Sequence, residues 1–164
     1  MPLAAPASGG LLEIPEGISH IDLDEDGEDE LVVKAWRDNF NAHGFYTISF
    51  YKEDENGRLT VLPFERSNGS FSDNIRTYSG AECWISDIRR YYGFGNSFLI
   101  FYQKDNHESM QDEVSVKASF YRLKENKEKL AGLPKWSFAK ESEKLSKGKY
   151  CDVGEAIKAE EFVE

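Results

Sequence analysis

Apolar and polar residues alternate along several short windows of this chain, a period of two that marks strands with one face on a core and the other partly wet. Residues 31–36, 45–51, 98–102 and 114–123 are rich in Val, Ile, Phe and Tyr and lie between Asp, Asn and Gly clusters, so each is a predicted strand. The Asn-Gly pair in Glu55-Asn56-Gly57-Arg58 predicts a tight hairpin turn leading into a further strand over 59–64. Residues 66–80, dense in Ser, Asn, Gly and Asp, read as a surface connection. Helical signal is thin: 73–78 fits a single turn and 153–162 a short terminal helix capped near Asp152, neither with a strong apolar stripe.

The two halves resemble each other. Ser49-Phe50-Tyr51 recurs as Ser119-Phe120-Tyr121 and Glu55-Asn56 as Glu125-Asn126, while Leu31-Val32 lines up with Leu99-Ile100 two positions out of step. A recurring strand–strand–turn unit predicts a mainly β fold, an antiparallel β-sandwich built from two similar repeats with little helix. Two propeller-like blades are the other arrangement open to such repeats. The expected organisation is a flexible N-terminal segment over 1–18, a first β repeat over 19–65, a connecting loop over 66–80, and a second β repeat with a C-terminal extension over 81–164.

With 164 residues, 40% of them hydrophobic and 13% aromatic, the chain has the apolar surface to offset the entropy of folding. Its 30 acidic against 20 basic side chains leave a net charge of −10, which repels phosphate backbones and anionic lipid heads. The Lys-rich run over 124–149 is interrupted by Glu125, Glu128, Glu141 and Glu143, so nucleic acid is not an expected partner. No window approaches the roughly 20 apolar residues that cross a bilayer, so membrane insertion is not expected. The Pro/Ala/Ser/Gly opening is expected to be the start of a mature chain whose signal peptide has been replaced by an initiator Met. Cys83 and Cys151 have no Cys-x-x-Cys or His spacing around them and read either as one long-range disulfide or as two buried thiols. The disulfide is favoured; it would restrict the unfolded chain by roughly 4 kcal/mol and imply a periplasmic or extracellular location.

The sharpest local signal is Asp22-Leu-Asp24-Glu-Asp26-Gly27-Glu28-Asp29-Glu30, running directly into a strand. Oxygen side chains at loop positions 1, 3 and 5, a Gly at 6 and a carboxylate at 9 can surround calcium or another hard divalent cation, so Asp22, Asp24, Asp26, Glu28 and Glu30 are the candidate ligands. It is not an EF-hand, which needs a bidentate Glu at position 12, where this chain has Val33. The loop resembles the Asp-x-Asp-x-Asp-Gly-x-x-Asp loops of FG-GAP and related β-repeat proteins, with the longer Glu30 in the last place. The other reading is an acidic, solvated turn, and no cofactor is required.

Ser137-Phe-Ala-Lys140 and Ser72-Asp73-Asn74 match triplets of serine β-lactamases, but their order is reversed and no Lys-Thr-Gly follows, so both read as chance. His20, His43 and His107 are scattered singly and form no zinc motif, and Gly93-Phe-Gly95 reads as a turn. No catalytic residue is therefore assigned, and a non-enzymatic protein is expected. Trp36, Tyr46, Tyr51, Trp84, Tyr91, Tyr92, Tyr121 and Trp136 exceed the aromatic content one core should hide, although core packing is the default for most. Trp36, Arg89, Arg90 and Tyr91 are the candidate ligand contacts, the arginines because a guanidinium can fork a carboxylate.

The loop and strand from Asp22 to Val33, Ala35-Trp-Arg-Asp-Asn-Phe-Asn-Ala-His-Gly44, Gly80-Ala-Glu-Cys83, Ser86-Asp-Ile-Arg89 and Gly148-Lys-Tyr-Cys-Asp-Val-Gly-Glu-Ala156 together resemble the carbapenem intrinsic-resistance (immunity) proteins of the CarF, CarG and CpmG type. The resemblance spans roughly residues 20–156. It implies a periplasmic protein that protects a carbapenem-producing Gram-negative bacterium without β-lactamase activity. The expected partner is then a carbapenem or a cell-wall-synthesis target protein, with room for a homodimer. The alternative is a cation-dependent extracellular adhesion or carbohydrate-binding module centred on the acidic loop.

Overall fold

The strands predicted over 31–36, 45–51 and 98–102 form, and the one predicted from 114 begins at Val116, in the computed structural model, which describes residues 9–93 and 95–163. The strands are β1 (Gly10–Glu13), β2 (Gly17–Ile21), β3 (Glu30–Arg37), β4 (Phe45–Glu53), β5 (Leu59–Val61), β6 (Phe64–Glu65), β7 (Phe71–Ser72), β8 (Ile75–Tyr78), β9 (Ser86–Tyr92), β10 (Phe98–Lys104), β11 (Val116–Glu125) and β12 (Trp136–Leu145). A short helix, α1 (Val153–Ala159), follows. The first sheet is the meander β2-β3-β4-β5 with β8 beside β4, and the second runs β1-β9-β10-β11-β12-β6-β7. All pairings are antiparallel except β12 with β6.

The repeat is real at the level of register. Leu31 and Val32 sit opposite Tyr51 and Phe50, and Leu99 and Ile100 sit opposite Tyr121 and Phe120. The meander β2–β5 is therefore the counterpart of β9–β12, and the two sheets pack as a sandwich. Their equivalent faces point the same way, however. Val32 and Phe50 enter the core between the sheets, together with Leu99, Leu123 and Phe138. Ile100 and Phe120 instead enter a second core on the far side of the second sheet, with Val153, Ala156 and Phe162. The front of the first repeat thus lies on the back of the second, and the C-terminal extension covers the front of the second. Phe50, Phe64 and Phe138 form the densest part of the shared core, with ring centroids 4.5–5.5 Å apart.

The cover is held at both ends. Cys83 and Cys151 form a disulfide spanning 68 residues, beside the Asp152 cap whose carboxylate accepts the Gly154 and Trp84 N–H groups at 2.7 and 2.9 Å. At the other end Glu160 accepts the N–H groups of Lys147 and Gly148 at 2.7 Å and the Tyr150 hydroxyl at 2.9 Å. The Gly148 N–H, aided by that of Lys147 and by Tyr150, holds the Glu160 carboxyl below its ordinary value.

Several sequence expectations are corrected. Within 1–18, expected to be flexible, β1 pairs residue for residue with β9 and β2 begins at Gly17, while residues 1–8 lie outside the described part. The expected connection over 66–80 carries β7 and β8. β8 reads buried, exposed, buried, exposed, a strand alternation, and replaces the helical turn expected over 73–78. The strand expected over 59–64 is broken into β5 and β6 by Pro63, which has no N–H to donate. β12, hidden in the Lys-rich run, is a strand because its Phe138 enters the core while its charged residues face water. The Gly93–Gly95 turn includes Phe94, which lies outside the described residues.

Replacing both cysteines by Ala is expected to lower stability by roughly 4 kcal/mol, the loop-closure value for such a separation, as read by denaturant unfolding. A carboxylate with a depressed folded-state pKa stabilises the fold above its unfolded value and loses that contribution as pH falls through its folded value. Protection of the Lys147 and Gly148 amides from exchange, taken relative to their intrinsic rates at each pH, should therefore fall on acidification, and Glu160→Gln should remove that dependence.

Candidate functional site

The acidic loop is organised by its own backbone. Glu25 and Gly27 both take positive φ, 59° and 88°, which brings the N–H of Gly27 back to Asp22 at 2.9 Å and that of Glu28 to Asp26 at 2.8 Å. Asp22, Asp24 and Glu30 converge, each offering a carboxylate oxygen within 4.8 Å of the others. Asp26 turns instead to Lys52, and Glu28 is exposed and enters the loop through its N–H. Glu30 is fully buried, accepts the Leu23 N–H at 2.9 Å and lies 2.7 Å from the Lys52 ammonium. That ammonium also reaches Asp26 at 3.1 Å and lies over the Trp136 ring.

The loop thus contains a cation of the protein's own. Burial works to lower the Lys52 pKa, but Glu30 and Asp26 outweigh it and hold it above the ordinary ammonium value. Burial raises the Glu30 carboxyl despite Lys52, and raises that of Asp24. Arg90, buried on β9, adds a second positive charge. Burial lowers its pKa while Asp22 and Asp29 oppose that shift.

A cleft opens at the other end of the same sheet face. Along the inward side of β3 and β4 the paired rows are Val32 with Phe50, Lys34 with Ile48, and Trp36 with Tyr46. β1 covers β9 only from Arg89 onward, leaving the edge from Ser86 to Ile88 open. The resulting cleft, about 190 Å³, is walled by Tyr46, Trp84 and Thr77, with Lys34 and Arg89 as its cations and Glu13, Asp87 and Asp152 as its acids. Trp36 packs on Tyr46 and Trp84 at 4.9 and 6.4 Å, and those two stack at 6.0 Å. Gly44 makes room for the indole, because a Cβ there would lie 2.0 Å from the Trp36 ring. Lys34 donates to the Ile14 carbonyl at 3.2 Å and sits 4.6 Å from the Tyr46 ring centre. Arg89 is held by Glu13 and Asp87 at 2.5 and 2.7 Å.

The four ligand contacts expected from sequence separate. Arg89 lines the cleft, and Trp36 packs behind its Tyr46 and Trp84 wall. Arg90 faces the opposite side of β9, toward the acidic loop, because neighbouring strand residues alternate in direction. Tyr91 stacks on Phe98 at 5.0 Å and packs against the second core. The β-lactamase-like triplets lie on strands and turns: the Lys140 ammonium pairs with Glu143 at 3.0 Å, and the Ser72 hydroxyl donates to the Asn74 carbonyl at 2.8 Å. Lys34 and Lys52 went unread in the sequence. Their signal is a lysine at an inward position of an otherwise apolar alternating strand.

A family model described as carbapenem resistance protein CarG-like matches residues 14–159. Among solved structures, the crystal structure of CarG matches with a TM-score of 0.79 at 20% identity, covering 93% of this chain and 96% of that one. No curated protein matches the sequence.

Lys52→Met leaves Glu30 buried without its counter-charge and is expected to cost about 3–5 kcal/mol. Calcium should raise the melting temperature of that variant, where the carboxylates lack a cation, and leave the unaltered protein unmoved. A calcium-dependent melting temperature in the unaltered protein would return the loop to the metal-binding reading.

Proposed function

The chain belongs to the CarG-like carbapenem resistance family, and from that premise we propose that it is a periplasmic self-resistance protein acting by binding, either of the carbapenem itself or of the target it shields. The aromatic cleft is the contact surface in this reading. The observation that carries it is the composition of the cleft: Lys34 and Arg89 beside Tyr46 and Trp84 in about 190 Å³. Pockets for drug-sized ligands are typically about 300–1,000 Å³, so a space of this size favours a compact bicyclic acid over a heavily substituted penicillin. A cation answers the carboxylate and the aromatic faces cover the ring system.

A binding mechanism also agrees with the groups in the cleft. Two hydroxyl-bearing residues line the cleft: Thr77 is almost fully buried, the Tyr46 hydroxyl donates to Glu16 at 3.1 Å, and among the described residues no histidine lines it. Nucleophilic opening of a lactam needs a hydroxyl or thiol paired with a base. Asp152 is committed to capping α1 and to the Trp84 N–H, which suits a wall of the cleft more than a general base. The disulfide fits residence in an oxidising compartment.

Expressed with a periplasmic signal peptide in a sensitive bacterium, the protein should protect against a simple carbapenem and not against a penicillin. Trp84→Ala and Lys34→Met should each weaken that protection, by about tenfold or more if the cleft is the contact surface. Purified protein should leave the carbapenem absorbance unchanged over hours. Turnover of the drug, or full protection by both variants, would defeat the binding reading of the cleft.

A further inference from the structure

β8 separates the cleft from a second, larger concavity. Thr77 turns to the cleft, whereas Arg76 and Tyr78 turn away from it. On that side a groove of about 430 Å³ runs between β6–β8 and the strands β10–β12, over a floor that includes Phe64, Ile75, Phe101 and Tyr121. It continues into an outer basin of about 490 Å³ at Arg66 and Arg76, and past Tyr78 into a further 310 Å³ beside Lys104 and His107. Arg76 lines all three spaces.

The charge of this groove runs against that of the molecule. In a chain of net charge −10, its main space is lined by Arg66, Arg76, Lys117 and Lys140 against Glu65 and Glu143. Lys140 is matched by Glu143 at 3.0 Å, and Lys117 has Asp105 at 3.6 Å. Arg66 and Arg76 are both exposed, and among the described residues neither is in an ion pair; Arg76 rests over the Phe45 ring at 5.1 Å. Two guanidiniums, each a fork of donors that fits a carboxylate or phosphate, are thus left facing one basin with Ser72 and Asn74 between them.

We propose that this groove is a binding site for an extended oxyanionic ligand, a chain bearing carboxylate or phosphate groups that Arg66 and Arg76 engage while its apolar parts lie on Phe101 and Tyr121. The site is separate from the aromatic cleft and does not depend on the function assigned to it.

Two probes test this by amide chemical-shift titration of the oxidised protein: the tripeptide Glu-Glu-Glu and inorganic tripolyphosphate. At least one should give saturable shifts centred on residues 64–78. Arg66→Gln with Arg76→Gln should weaken that binding tenfold or more, and Lys124→Gln, on the outer end of β11, should not. Arg66→Gln alone, in the turn between β6 and β7, repeats the test if the double variant loses its native spectrum. Stronger binding of the peptide identifies a polycarboxylate and of tripolyphosphate a phosphorylated ligand, each in support. Absence of saturable binding by both probes, or equal affinity in the arginine variants, overturns the proposal.

Discussion

The front of one four-stranded meander lies on the back of the other, and most of the architecture follows from that. A stack of like-facing layers has two ends that differ, as in repeat proteins whose terminal units need caps. The front of the second repeat, carrying Ile100, Tyr102 and Phe120, would be an apolar face in water without α1 and Phe162 above it. A seven-residue helix is too short to hold itself. The disulfide beside its start and the Glu160 bonds beyond its end supply what helix propensity cannot. Among the described residues the back of the first repeat has no such cover, and Ile18 is 72% exposed there.

The inward face of the first sheet explains both polar sites at once. Val32 opposite Phe50 makes an apolar row, and a lysine lies on each side of it: Lys52 at one end of the stripe, and Lys34 opposite Ile48, next to the Trp36–Tyr46 row at the other. Lys52 is closed in by Glu30 and Asp26, so that the acidic loop fastens one corner of the interface. Among the described residues Lys34 has only a backbone carbonyl and an aromatic face, and its corner stays open as the cleft. Both lysines are half-buried, and the more of an ammonium is turned from water the more a partner is worth, because an unpaired charge away from water is costly. At one corner the chain provides that partner; at the other it leaves room for one.

Much of this was legible in the sequence where a local signal decided the outcome. The strands with aromatic and β-branched alternation, the Asp152 cap, the duplication at 49–51 and 119–121 and the pairing of the cysteines all rest on short-range patterns or on the scarcity of alternatives. Long-range packing decided the rest. β12 reads as a charged run because just one of its ten residues is buried, and β8 reads as a turn because its partner strand lies 30 residues away. The acidic loop reads as a cation site from its own residues, and the structure brings Asp22, Asp24 and Glu30 together as that reading expects, but nothing in those residues shows that Lys52, from the next strand of the meander, sits against them. Arg89, Arg90 and Tyr91 form a cluster in sequence but not in space: the strand sends Arg90 to the face opposite the other two, and Tyr91, on the Arg89 side, is taken up by Phe98. Direction of inward and outward register, once known from the repeat, separates them and also singles out Lys34.

The cleft owes its persistence to constraints that lie outside it. Trp84, one wall, follows a disulfide-bonded cysteine and gives its N–H to Asp152, so backbone and cross-link fix where the indole starts. Trp36, behind it, rests on Gly44 where no other side chain would fit. The open edge of β9 is kept from extending by Asp87, whose carboxylate takes the Ile88 N–H at 2.8 Å and pairs with Arg89. Because these groups are held before any ligand arrives, little conformational entropy is left to lose on binding, which is how a small contact area can still give useful affinity. The same argument separates the two concave sites. The cleft, with its walls fixed, suits a small rigid ligand, whereas the groove beyond β8 presents two exposed arginines in no ion pair among the described residues, and so suits a longer, adaptable one.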